Sequence, residues 1–445
     1  MPVSDDLSGL PTSLPTPLIG DRNKVILGVL SHAASTGPDL NRVIAAAPDF
    51  ALGQAIRGLS CLLLGRAEMV AIAHQAYAAA IAGAPATMRE IAFVHALGDW
   101  LGGRPTRAAA RLQVMLNLNP RDALAMKLVQ AIHFVMGRPK EMRTSVEGVM
   151  DAWADHPARG YLLGCHAFTL EETGDYAAAE RTGRAGVDLA PDDAWGLHAV
   201  AHVYDMTGRA RAGLDWLTGR EGSWAHCNNF RFHVWWHRAL MHLDLGQYDA
   251  ALAHYDADIR ADKTDDYRDI ANAASLLSRL ELEGVAVGDR WEELAVLAER
   301  RATDGCLAFA DLHYMLALCG GAREEAAVGL IARMQATQRS TGEAEAVISH
   351  PGLHIAQGLH AFSSGEYSNA WMHLRAGRTD LQSIGGSHAQ RDVFDRITIE
   401  AALRGGYMDA AEGLIHDRMA RRAGMADGYA TARLALIDAA RAQAV

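Results

Sequence analysis

Cysteine is scarce in this sequence: five residues in 445, odd in number, widely spaced and never in a C-x-x-C pair. That pattern excludes a disulfide framework and points to a reduced, cytoplasmic setting. Proline is also rare, with 13 residues, and Val, Ile and Thr seldom gather into alternating runs. No stretch approaches the ~18–20 consecutive apolar residues that cross a bilayer, so no membrane partner is expected. Basic stripes are missing as well. Lys and Arg number 42 against 53 Asp and Glu, for a formal charge of −11. Phosphate backbones need clustered cations, and Arg418, Arg421 and Arg422 are too few to supply them, so nucleic acid is excluded as a partner. The opening MPVSDDLSGLPTSLPTPLIG lacks a basic-then-apolar leader and reads as a short arm over 1–20.

What the chain has in abundance is alanine, which loses no rotamer freedom in a helix, and half of its residues are apolar. It also has a period. Glycine recurs between helical patterns at 65, 103, 137, 174, 208, 246, 288, 320, 365 and 405. The steps centre a little above the ~34 residues of a tetratricopeptide unit. Tyr and Ala follow at matching offsets: Tyr176 and Ala179, Tyr248 and Ala251, Tyr367 and Ala370, Tyr407 and Ala410. Gly permits the turn, and small Ala lets two antiparallel helices approach. The fold expected is all-α: one tetratricopeptide-type α-solenoid over 21–445, a superhelix of about ten antiparallel helix pairs. First helices then line a concave wall.

Three adjacent units aim unusual side chains at that wall. In the tetratricopeptide register the groove receives Glu171 and Glu172 from one unit, and Trp195, His198, His202 and Asp205 from the next. The third unit sends His233 and Trp236, with His237 one step round. The histidines come as i, i+4 pairs, HAVAH (198–202) and HVWWH (233–237), so both rings of a pair share one helical face. The loop WAHCNNF (224–230) is expected to place His226, Cys227, Asn228 and Asn229 at the rim. A last polar cluster, GGSHAQRDVFD (385–395), offers Ser387 as an N-cap and opens a helix with Gln390, Arg391 and Asp392. Helix-start amides beside an Arg suit a carboxylate or phosphate.

Four pieces of this sequence resemble the tetratricopeptide repeat protein 38 family. They are FTLEETGDYAAAE (168–180), DAWGLHAVAHVYDMTGR (193–209), the W-x-x-C-N stretch with HVWWHRALMHLDLGQYDAALAHYD (233–256), and GGSHAQRDVF (385–394). Asp205 stands where the family carries Glu, and His388 where Asn is common. The resemblance implies the fold and the location of a site; it implies no particular reaction.

Two function classes follow. The first is a small-molecule site in the groove, with acid–base catalysis by His198, His202, His233 or His237. Cys227 beside His226 or His233 is a candidate nucleophile. Glu172, Asp205, Trp195, Trp236, Asn228, Gln390, Arg391 and Asp392 would bind the ligand. No metal is assigned, because Ala199 and Val234 stand where a metalloprotease helix needs Glu, and no cofactor is named. The second class is a scaffold clamping a partner peptide. The residues favour the first, since His, Trp and acids fill positions where peptide clamps carry Lys, Arg and Asn. Trp235, His242 and His254 fall on other faces, where they pack.

Overall fold

The structure is a computed structural model, described over residues 4–443; residues 1–3 and 444–445 lie outside the described residues. It is an all-α solenoid of tetratricopeptide-type helix pairs. The one β element among the described residues is a short antiparallel ribbon of Ser4–Asp5 with Pro11–Thr12. The chain forms two compact units. The first comprises Met1–Val200, Glu221–Arg231 and Thr341–Ala344; the second comprises Ala201–Arg220, Phe232–Ser340 and Glu345–Val445.

In the first unit, helix Ala51–Leu63 packs on Ala67–Ala82, Met88–Leu101 on Pro105–Leu118, and Arg159–Glu172 on Tyr176–Leu189. Its apolar core excludes Leu30, Phe93, Leu97, Leu112 and Trp153 from solvent. The N-terminal arm is tied to it. Buried Asp6 is ion-paired with Arg22 at 2.7 Å and accepts from Arg89 at 2.7 Å, and Arg89 also grips Asp122. In the second unit, Ala308–Gly320 pairs with Glu324–Ala336, Leu353–Ser363 with Tyr367–Arg378, and His388–Arg404 with Met408–Arg421. Helix Tyr267–Leu282 also packs on His388–Arg404, and Arg279 donates to the Ala389 carbonyl at 2.6 Å.

The turn chemistry follows the repeat. Helix Arg159–Glu172 ends as Gly174 adopts φ +86°, donating to Glu171 O while Asp175 donates to Leu170 O. A left-handed residue closes a helix this way at little cost only when it lacks a Cβ. Ala179, Ala251 and Ala370 are all fully buried five residues after their turn glycines. Two turns differ from the sequence expectation. The left-handed residue of the last is Gly406 rather than Gly405, so the small buried position is Ala411 and not Ala410. At Gly320 the helix simply continues, and Ala322 makes the left-handed turn. Near Gly288 both Gly284 and Gly288 are left-handed.

Candidate functional site

Helix Ala194–Met206 carries His198 and His202 one turn apart, and helix Phe230–Asp244 carries His233 and His237 in the same relation. None of the four lines an open groove. His202 and His237 are 0% exposed, His198 1% and His233 9%. The expectation of a solvent-facing concave wall fails at these positions because bulky neighbours close over them.

Within the second unit His202, His233 and His237 form one cluster. Nε2 of His237 lies 3.2 Å from Nε2 of His233, and the His202 and His237 rings are 4.2 Å apart. Nδ1 of His233 donates to Oδ1 of Asn272 at 2.9 Å, which leaves its Nε2 as the lone-pair atom. Trp236 stacks on His233 at 5.2 Å, and the Arg279 guanidinium lies over the Trp236 ring. Burial pushes His233 down to about 4, against the Asn272 hydrogen bond that raises it. Burial likewise holds His202 well below the usual imidazole range, with His233, His388 and Arg391 adding to the effect. The 385–395 segment is therefore close enough to act on His202.

That segment borders a cavity of about 300 Å³ in the second unit. Arg378, Arg391, Arg418, Arg421, Arg422 and His388 line it, with Met206 one helical turn beyond His202. Asp392 and Asp395 supply its carboxylates. Arg396, Arg418 and Arg422 are held by buried ion pairs. Arg418 bonds Asp392 and Asp427, Arg396 bonds Asp392 at 2.7 Å, and Arg422 bonds Asp205 at 2.9 Å. These pairs draw Asp392 well below the carboxylate range against the burial that would raise it.

Several expected roles change accordingly. Asp205, expected to bind the ligand, pairs with Arg422. Gln390 is spent in a capping box with Ser387, its Oε1 accepting from Ser387 N at 2.9 Å, so these helix-start amides are satisfied internally. Ser387 is the N-cap, as expected. Arg391 donates to the carbonyls of Gly385 and Gly386 while facing the cavity. Trp235 packs, as its register implies, stacked on His254 with His242 beside it.

In the first unit Trp195 and His198 belong to an aromatic cluster with His32, Phe134, Phe168 and Phe230. Nδ1 of His198 donates to the Trp195 carbonyl at 2.7 Å, and Lys127 lies 5.0 Å from the Trp195 ring centroid. Glu172 is buried at the end of its helix. Gly164 is a close helix contact: a Cβ there would clash with Asp193 Oδ2 and meet Gly196 Cα at 2.9 Å. The 224–230 loop is no rim. Ala34 donates to His226 O at 3.0 Å, and Asn228 N donates to His32 O at 2.8 Å. Asn228 Oδ1 accepts from Phe230 N. The Cys227 thiol donates to Ser31 O at 3.4 Å, and burial pushes it up to about 12. Nε2 of His226 lies 3.8 Å from the Cys227 sulfur, as the sequence expected, while burial disfavours the thiolate that a nucleophile needs.

The residues that sequence reasoning missed are Asn272, Arg396 and Asp427, together with cavity roles for Arg418 and Arg422. A signal for the first existed: Asn272, Ser275 and Arg279 share one face of helix Tyr267–Leu282, and all are buried.

No family model matches the chain. Among solved structures it is similar to yeast Tom70, at 12% identity over 95% of this chain and 88% of that one, with a TM-score of 0.37. It is similar to human IFIT1, solved as a dimer with PPP-AAAA, at 14% identity over 79% and 90%, with a TM-score of 0.35. It is also similar to the TPR domain of P58(IPK), at 16% identity over 73% and 83%, with a TM-score of 0.22. No helix among the described residues is long and apolar enough to cross a membrane.

Proposed function

We propose that this chain is a tetratricopeptide-type binding protein of the tetratricopeptide repeat protein 38 kind, whose second unit takes a small anionic molecule. The observation that carries the reading is the cavity lining: five arginines and a histidine against two aspartates, in a space of about 300 Å³. That volume is at the lower end of small-molecule pockets. Guanidinium groups held in place by ion pairs are already extended toward a carboxylate or phosphate, so little side-chain entropy is lost on binding. His202, one helical turn before the cavity residue Met206, is the group to which acid–base work at this site would fall, with His237 beside it.

A peptide partner is the second reading. It is favoured by Val114 and Leu118, exposed at 58% and 68% and one turn apart on helix Pro105–Leu118, an apolar stripe of the kind a partner helix covers.

Native mass spectrometry after incubation with a metabolite extract tests the first reading. Wild type retains an anionic small molecule, and Arg391→Ala, with its helical circular dichroism intact, binds it about 10–100-fold more weakly, the effect of one lost charge-assisted hydrogen bond. Retention of nothing by wild type, or equal retention by both, overturns it. Capture of a peptide through its free C-terminal carboxylate, lost on amidation, would instead support the clamp.

A further inference from the structure

We infer that His202, His233 and His237 hold a divalent transition-metal ion, Zn²⁺ foremost, through one ring nitrogen each. Their available nitrogens all lie within 4.8 Å of one another. The Nε2 atoms of His233 and His237 are 3.2 Å apart. A tetrahedral Zn²⁺ with bonds of ~2.0–2.1 Å sets its ligands about 3.4 Å apart along each edge, so this pair already spans one edge. Imidazole donors suit zinc, copper or nickel rather than magnesium or calcium, which demand oxygen.

The supporting shell has the form such sites need. A metal-binding histidine donates its other ring N–H to a fixed acceptor, which sets the tautomer and raises the ligand's basicity. Asn272 does this for His233, from a buried position on the neighbouring helix. His233 and His237 share one helix, so their separation is set by the helical repeat and needs no loop to hold it.

Three protein ligands leave a fourth position, which in zinc sites takes water or substrate. The Arg391 guanidinium acts on His202 with positive charge. That charge opposes a bare cation but favours an anion in the fourth position, whether hydroxide or the acidic group of a ligand. Bound there, the metal would lower the pKa of its water toward ~7.

The inference goes beyond the cavity reading, and its test contains no organic ligand, so the two fail separately. Protein stripped by a chelator is titrated with Zn²⁺ alone against a chromophoric competitor, and with Co²⁺ alone by visible absorption. One equivalent of Zn²⁺ and the intense visible bands of tetrahedral Co²⁺ are expected. His202→Ala/His237→Ala loses at least 100-fold in affinity, and Asn272→Ala about 10–100-fold. His354→Ala, in the separate group of His350, His354 and His373, changes nothing. No binding by wild type, an octahedral Co²⁺ spectrum, or loss of binding on His354→Ala overturns the assignment. The wild-type spectra decide it even where the double variant fails to fold.

Discussion

His313 sits between Phe309 and Phe394, its Nδ1 donating to the Phe309 carbonyl at 2.7 Å and its ring 1% exposed. Burial lowers it to about 3; the Phe309 carbonyl opposes this and Arg279 adds to it. The unfolded chain titrates near 6.5, so it binds protons more readily than the folded one between those values. The stabilisation is fully present above about pH 6.5 and is lost as pH falls toward 3, on the order of 3 kcal/mol by pH 4. Asp193 and Asp269, raised to about 7 by burial, pull the opposite way over pH 4–7. The useful measurement is therefore a difference. Melting temperature against pH for His313→Gln should fall less steeply below pH 6.5 than for wild type; parallel curves would show that the ring is not titrating. At this scale the sequence was only half legible. It marked His202, His233 and His237 by spacing, but it could not show that they are enclosed or that Asn272 would reach His233 from 39 positions away. Helical register gives direction on one helix, while burial depends on what neighbouring helices bring.

Helix pairs were the most legible feature, because a turn needs a residue tolerant of φ > 0 and a close approach needs a small one. Two glycines separate these demands. Gly365 adopts φ +77° with no atom near its missing Cβ, so Gly365→Ala meets backbone strain alone and should cost about 1 kcal/mol. Gly329 lies exposed inside helix Glu324–Ala336, also with open space around it. There Ala restores helix propensity, and Gly329→Ala should stabilise by about 0.5–1 kcal/mol. Urea unfolding of both variants checks the pair, and changes of the same sign would refute the assignment of turn and helix. The same logic explains where the period misled. Ala322 takes a left-handed turn that glycine usually fills, and Gly405 stands beside the true turn residue, so residue type named the neighbourhood and not the position. The 224–230 segment was legible as a polar loop, but its partner near residue 32 left no mark in either segment.

On the scale of the whole chain, the first unit is not a contiguous stretch. It incorporates Glu221–Arg231 and Thr341–Ala344, the latter through Glu343, which accepts from Thr106 N at 2.9 Å. A fragment ending at residue 220 therefore lacks the partners of Ala34 and of His32 O. Compared with a fragment ending at 231, it should melt several degrees lower, since each kcal/mol moves the midpoint of a domain this size by ~2–4 °C. Equal midpoints would mean that the 226–228 contacts contribute nothing to this unit.

The pairing of residues 32–34 with 226–228 also fixes a timetable. The two segments stand 195 positions apart, and a ribosome adding ~5–20 residues per second needs roughly 10–40 s to deliver the second after the first. For that interval the nascent chain carries a first helix whose final turn has nothing to bond to but water or a chaperone. Synthesis slowed between these positions would lengthen that exposure and raise the yield of misassembled chains without altering one contact of the finished protein.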